Sequence, residues 1–401
     1  MKIMFMCLGT FDNLAESSVH IDLVKRLAED HEVWLICKHE GKPTEQKDEY
    51  GIHVLRVHTG ELKKIGLIKK GINTVFVEPQ FTYAIKKHLK TIRFDLILYT
   101  TPPITFANAV KYIKNRDHAM TYLMLKDIFP QNAVDIGLMH TMGLGGMIYR
   151  YFRKKEKQLY NLSDYIGCMS PANVEYIIQH NPEIDRDRVE VCPNITNIRD
   201  ASVSDETRLS IREEYRIPTD KKVFIYGGNL GKPQGIPFLL ECLRSCKKNS
   251  SVFFLIIGQG TEYGTIEKYI NEEHPTNCTL MRSIPNDDYE TLVAACDIGM
   301  IFLDHRFTIP NFPSRLLSYM KAKIPVFAVT DIYTDVGETI TNGGFGWWCE
   351  SNDIKSFCSI VKTIIQTDDE TVAEMKRREF DYLCKNYNPD IAYDTICSKA
   401  K

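Results

Sequence analysis

The segment that most limits the possible folds is Val223–Gly235, VFIYGGNLGKPQG. An apolar run stops at a glycine-rich turn, Gly227-Gly228-Asn229-Leu230-Gly231. Lys232, Gln234 and Gly235 follow, and then a helical pattern from Ile236 to Leu243. A buried strand that breaks into a glycine turn and opens a helix leaves backbone N–H groups converging on one spot, which suits a phosphate. The segment lies in the middle of 401 residues. That length exceeds one ordinary core, so the second half reads as the start of a unit of its own.

The flanking sequence repeats one logic twice. In the first half, short apolar runs at Ile3–Leu8, Val33–Cys37, Ile52–Val57, Leu96–Thr100, Thr121–Leu125, Tyr165–Met169 and Val189–Cys192 read as strands. Helical patterns stand between them: one opened by Ser17-Ser18 with Val19, Leu23, Val24 and Leu27 on one face, then Phe81–Lys90, Ile104–Lys114 and Met147–Leu162. In the second half, Val223–Tyr226, Val252–Ile257, Thr279–Met281, Ile298–Leu303 and Val326–Val329 read as strands, each followed by a helical pattern. Apolar runs alternating with helices predict parallel sheets. The predicted class is α/β, with two doubly wound domains facing a central cleft. The boundaries are residues 1–196, a polar linker over 197–220, a second domain over 221–368, and terminal helices over 369–401 that cross back to the first domain.

Composition removes several classes of function. The chain is 44% apolar and 25% charged with a net charge of −2, and this absence of a basic surplus argues against a nucleic-acid partner. Twelve cysteines sit singly with no C-x-x-C pair, as expected for free thiols in a reducing cytosol. The N-terminal apolar run stops at Gly9, too short for a signal peptide. No run approaches the ~20 apolar residues of a spanning helix. Gly258-Gln259-Gly260 is followed by Thr261-Glu262-Tyr263, which breaks the dinucleotide fingerprint, and Lys232 is followed by Pro233, which breaks the P-loop.

Several residues invite chemistry, each beside a plainer reading. The glycine turn with Lys232 suits a phosphate, or is only a turn. Pro313-Ser314-Arg315 opens a helix whose amides and guanidinium suit phosphate. Asp127 follows a strand and faces a ligand, or shapes a turn. His20 lies on a helix among apolar residues and reads more readily as a packed core histidine. Trp347-Trp348 packs at a strand or stacks on a sugar, and His305-Arg306 precedes a proline-flanked loop within reach of a ligand. Residues 141–160 join Thr141–Tyr149 to Arg150, Arg153, Lys154, Lys155 and Lys157. A second basic set is Lys63, Lys64, Lys69, Lys70, Lys86, Lys87 and Lys90. Basic positions among aromatic and aliphatic ones suit an anionic membrane face, or form a solvated amphipathic helix.

The pieces occur in an order that resembles a known family. They are Ser18-Val19-His20 through Leu27 with His31-Glu32-Val33; Lys126-Asp127-Ile128-Phe129-Pro130; Val191-Cys192-Pro193-Asn194; Gly228-Asn229-Leu230-Gly231 with Gln234-Gly235; Ile257-Gly258-Gln259-Gly260; Pro313 through Met320; and Lys323-Ile324-Pro325-Val326. Together they span nearly the whole chain. They resemble the retaining GT-B glycosyltransferases of family 4, and more closely the branch of bacterial O-antigen and capsule enzymes that includes N-acetylfucosamine transferases.

This resemblance implies two Rossmann-like domains, the second gripping a UDP-sugar. The expected donor and phosphate residues are Gly9, Thr10, Gly228, Asn229, Leu230, Lys232, Gln234, Ser314, Arg315 and Ser318. It places Asp127 near the acceptor hydroxyl, with His20 and Lys126 on the acceptor side. No metal and no cofactor are expected, because cations and amides can meet the charge of a diphosphate leaving group. The implied product is a sugar, an N-acetylated amino or deoxyamino hexose, moved with retention to a polyprenyl-diphosphate-linked acceptor for surface polysaccharide. The implied place is the cytoplasm, peripheral at the inner membrane face. The family usually has Arg and Lys where this chain has Asn229 and Gln234, and Glu where it has Ser318. Those departures leave Lys232 and Arg315 as the phosphate cations. They also leave open a sugar-nucleotide epimerase or a degenerate, non-catalytic homologue.

Overall fold

A computed structural model describes residues 1–60 and 67–400 of the chain. Lys63 and Lys64 lie outside the described residues, as do the side chains of Lys69 and Lys70. The chain divides into two compact units, Met1–Asn197 with Asn388–Lys401, and Ile198–Tyr387.

Among the described residues the first unit holds eight strands: β1 Lys2–Met6, β2 Glu32–Glu40, β3 Glu45–Glu49, β4 Ile52–Thr59, β5 Leu96–Thr100, β6 Met120–Leu125, β7 Tyr165–Cys168 and β8 Val189–Val191. Their order is β3-β4-β2-β1-β5-β6-β7-β8. Every pairing is parallel except β3 with β4. Strand β3 reads EQKDE and has no apolar face of its own. It forms because β4 supplies the ladder, which no hydrophobic period could signal. The winding direction reverses between β1 and β5, the place where such sheets bind ligands beyond their carboxyl ends.

The second unit holds β9 Lys222–Asn229, β10 Val252–Gln259, β11 Cys278–Arg282, β12 Ile298–Phe302, β13 Val326–Thr330 and β14 Gly346–Glu350. The order is β11-β10-β9-β12-β13-β14, all parallel. Here the reversal falls between β9 and β12, so the glycine turn that ends β9 stands at the switch point.

Two boundaries differ from the expectation. The segment 197–220 contains a helix, Asp205–Glu214, capped by Ser204. It belongs to the second unit because Arg212 is buried and its Nη2 pairs with Asp297 at 2.7 Å, while Asp297 also receives the Val223 N–H at 2.7 Å. Of the terminal helices, Asp369–Asn386 stays with the second unit, and only Pro389–Lys399 returns to the first. The return is driven by burial of Ala392 and Ile396 in the same core as Ile21, Leu23 and Val24. Arg26 lies 3.9 Å from the Tyr393 ring and pairs with Asp390 at 2.6 Å. The helix Val19–Ala28 starts where Ser18 accepts the Ile21 N–H, 3.2 Å away. Asp22 on that helix binds the end of the unit, accepting from the Asn197 N–H at 2.9 Å and from the Thr196 hydroxyl at 3.3 Å.

Candidate functional site

In the second unit the turn after β9 is locked from several sides. The Tyr226 hydroxyl donates to the Asn229 carbonyl at 2.9 Å. Gln234 is buried, and its Oε1 accepts from Gly231 N–H and Asn229 Nδ2, each at 3.1 Å. Leu230 donates to the Gln259 carbonyl at 2.9 Å and receives the Glu262 N–H at 2.9 Å. Its side chain is fully buried in the core. Leu230's N–H and carbonyl are both bonded within the protein, so its observed role is to shape the turn, where it was expected among the donor residues. Gly228 has φ +125 and Gly235 has φ +58, conformations that disfavour a side chain. Gly235 also packs so closely on β12's exit that a Cβ would stand 3.2 Å from the Asp304 Cα.

Gly228 and Asn229 are solvent-exposed, and Arg315 reaches Gly228. Arg315 is the first residue of the helix Arg315–Ala322. Its guanidinium lies 4.4 Å from the Tyr226 ring, a cation–π contact. A Cβ placed on Gly228 would be 3.5 Å from its Nη2. Among the described residues no carboxylate pairs with Arg315, and its Nη1 is buried without a hydrogen-bond partner. The Tyr289 hydroxyl, which abuts Gly227, is a second buried donor without a partner. Sequence reading missed Tyr289, since nothing in a helix at 286–294 marks one tyrosine as turned toward the glycine turn.

Lys232 and Ser314 are exposed and Ser318 is partly so. Ser314 makes no capping bond. Arg306 is less available than expected: its fork closes on Asp304 at 2.9 and 2.8 Å. Trp347 packs against the core and Trp348 Nε1 donates to Thr330 at 2.9 Å, which favours strand packing over sugar stacking.

The first unit assembles a set at its own switch point. The Gly9 carbonyl accepts from Lys38 N–H at 3.2 Å, and the Phe11 ring lies over Gly9. The buried Arg56 holds that loop, its Nε donating to the Phe11 carbonyl at 2.7 Å while Nη1 pairs with Glu49 at 2.8 Å. Thr10 is exposed. His20 meets Phe5 and Phe11 edge-on at 5.8 and 6.4 Å. Burial, and secondarily the Lys126 charge, pull its pKa down to about 4. Lys126 donates to the carbonyls of Cys192 and Pro193, both at 3.2 Å, and burial lowers its pKa.

Asp127 follows β6. Its Oδ1 accepts from Asn132 Nδ2 at 2.7 Å, and Thr101 Oγ1, at the end of β5, takes the N–H groups of Lys126 and Asp127 at 3.0 and 3.3 Å. Burial is the main cause raising the Asp127 pKa to about 6, against the Asn132 bond that lowers it, with Glu156 adding repulsion. A half-buried carboxyl titrating near neutrality can hold or accept a hydroxyl proton. Thr101 was not singled out from sequence; its place after the fourth predicted strand was the available signal. Among the described residues no group of three or more His, Cys, Asp or Glu is arranged to hold a metal, and no helix is long and apolar enough to cross a membrane.

Comparison with known proteins agrees with this architecture. Residues 17–199 match the family described as Glycosyltransferase Family 4, and residues 207–380 match Glycosyl transferases group 1. The chain is 23% identical over 337 residues to "Probable glycosyltransferase WbjE" of Pseudomonas aeruginosa, covering 83% of this chain and 80% of that one. Among solved structures, sucrose-phosphate synthase from Thermosynechococcus elongatus superposes with a TM-score of 0.77 at 14% identity, covering 98% and 97% of the two chains. Anabaena HepE in complex with UDP superposes with a TM-score of 0.68 at 16% identity, covering 100% and 99%. A Family 4 domain followed by a group 1 domain, each on a doubly wound sheet of the kind seen in GT-B enzymes, makes this chain a glycosyltransferase.

Proposed function

We propose that the chain transfers a hexose, an N-acetylated amino or deoxyamino sugar as in N-acetylfucosamine transferases, from a UDP-sugar to a lipid-linked glycan. The transfer proceeds with retention and without a metal ion, at the inner face of the cytoplasmic membrane, in the synthesis of a surface polysaccharide. The observation that carries this reading is Arg315: a guanidinium at the open glycine turn, with one donor unused and no carboxylate partner among the described residues. Such a group suits a diphosphate, whose charge grows as the sugar departs. Lys232 adds an exposed cation at the same turn. HepE, whose fold this chain shares, has been crystallised with UDP and with UDP-glucose, which favours UDP as the nucleotide. WcaI of Escherichia coli (strain K12), 22% identical over 248 residues, carries colanic acid biosynthesis in its name, which favours polysaccharide as the product.

In the acceptor step, Asp127 orients the incoming hydroxyl, and the departing phosphate takes its proton. Polyprenyl-diphosphate-linked sugars are the acceptor class this reading requires. The test is UDP release from a panel of UDP-sugars with a lipid-linked acceptor, with calorimetry of UDP binding alongside. Acceptor-dependent release with the anomeric configuration kept, undiminished by a chelator, is the expected result. A donor converted to its epimer without acceptor, or no binding of any UDP compound, would sink the proposal.

A further inference from the structure

We infer that Asn132 is a positioning residue for the acceptor step: its side-chain amide holds the Asp127 carboxyl in the orientation and the charged form that an incoming hydroxyl needs. This role rests on the reading that Asp127 meets the acceptor. Asn132 lies on the short helix Gln131–Asp135, just after Asp127 in the chain. Its N–H donates to the Ile128 carbonyl at 3.0 Å, a turn that brings its side chain back, and its Nδ2 donates to the Asp127 Oδ1 at 2.7 Å. The peptide that bears the carboxyl is fixed separately by Thr101, whose Oγ1 takes the Lys126 and Asp127 N–H groups and lies 3.2 Å from the Asp127 carbonyl. Phe129 meets Phe152 edge-on at 5.1 Å and holds the loop against the helix Gly143–Leu162. The Asn132 Oδ1 is buried without a hydrogen-bond partner. An amide kept for structure alone satisfies both of its ends; here the acceptor end is idle and the donor end is spent on Asp127. None of the five residues of this helix is buried, so core packing does not account for Asn132 either.

Opposed influences meet on this carboxyl. Burial and the charge of Glu156, on the helix Gly143–Leu162, favour its neutral form, while the Asn132 amide and the Ile128 N–H favour the charged one. Glu156 is itself buried, pairs with Arg153 and accepts from the Tyr160 hydroxyl. Lys126 spends its ammonium on the Cys192 and Pro193 carbonyls. Among the described residues no Lys, Arg or His pairs with Asp127, which leaves Asn132 as the side chain that favours its ionisation. A cation there would hold the carboxylate charged but make it a poor acceptor for a hydroxyl proton. A neutral amide keeps it charged and still basic.

The test is the pH profile of kcat/KM for acceptor-dependent UDP release by the full chain. The parent is expected to show a limb that rises through about 6, where Asp127 ionises. Asn132→Leu, similar in size and unable to donate, should move the limb up by roughly one pH unit. Asn132→Asp sets a second carboxyl against the first and should move it further the same way. Glu156→Gln removes the like charge and should move it down, and Asp127→Asn should abolish it. Asn132 variants that lower the rate equally at every pH, or a limb that Asn132→Leu and Glu156→Gln move in the same direction, would overturn the role of Asn132 while loss of the limb in Asp127→Asn upheld that of Asp127. A limb that survives in Asp127→Asn would instead remove Asp127 from the acceptor step, and Asn132 with it.

Discussion

Asn229 donates its side-chain N–H to the Gln234 Oε1 at 3.1 Å, and that oxygen also receives the Gly231 N–H at 3.1 Å. The two positions where the resembling family usually has cations are thus an amide pair that closes the turn on itself. Gln234→Ala leaves two donors without their acceptor, a loss of about 1–3 kcal/mol. A lower melting temperature and weaker UDP binding are expected. Gln234→Lys should not rescue either, because an ammonium has no acceptor for the Gly231 N–H; differential scanning calorimetry and UDP titration decide it.

Arg315 should govern turnover. Arg315→Ala is expected to cost about 100-fold or more in acceptor-dependent UDP release, by analogy with loss of one preorganised oxyanion donor. Arg315→Lys should recover little, since a point charge cannot replace a fork stacked on Tyr226. Parent-like rates for Arg315→Ala would remove Arg315 from the donor site.

Asp127 predicts a pH response with a definite sign. Its pKa is raised in the folded chain to about 6 from an ordinary 3.8, chiefly by burial, so the native state holds this proton more tightly than the unfolded chain. The stability this gives is complete below pH 3.8 and is lost as pH rises through 6. Asp127→Asn should therefore melt higher than the parent at pH 7 and alike at low pH, while its turnover falls. An unchanged rate for Asp127→Asn would leave the carboxyl a structural role only.

His20 has the opposite sign. Its folded pKa is depressed to about 4 from 6.5 by burial against Phe5 and Phe11 and by the Lys126 charge. Stability is present above pH 6.5 and is lost as pH falls toward 4. His20→Phe should flatten this part of the acid-melting profile, read by circular dichroism between pH 7 and 4.

Asp22 anchors the end of the 1–197 segment through Asn197 and Thr196, and also accepts from the Ser17 hydroxyl. Asp22→Ala strands buried donors and is expected to lower stability on the order of 3 kcal/mol, measured by urea unfolding. A smaller effect than 1 kcal/mol would mean that water replaces the carboxylate.

Much of this was legible from periodicity. The apolar runs at Ile3–Leu8, Leu96–Thr100 and Val223–Tyr226 are short for helices and alternate with helical patterns, which points to buried parallel strands, and all three are strands. The glycine turn was visible because only a bare backbone tolerates Gly228's φ of +125. What stayed hidden depends on distant partners. Strand β3 has no signal without β4, and the helix 205–214 is mostly polar, held to the second unit by Arg212 pairing with the distant Asp297. Leu230 could not be told from its ligand-facing neighbours until its backbone bonds to Gln259 and Glu262 were seen. Thr101 and Tyr289 became candidates only when the fold brought them to Asp127 and Gly227.

The chain passes from one unit to the other twice, at 197–198 and again at 387–388. A ribosome therefore delivers every residue of the second unit before the helix that seals Ile21, Leu23 and Val24 is available. The unit made first is finished last, and until then its nascent core has an open side that chaperones can bind. A stop codon placed before residue 388 would harm the amino-terminal half of the molecule, leaving the adjacent half intact.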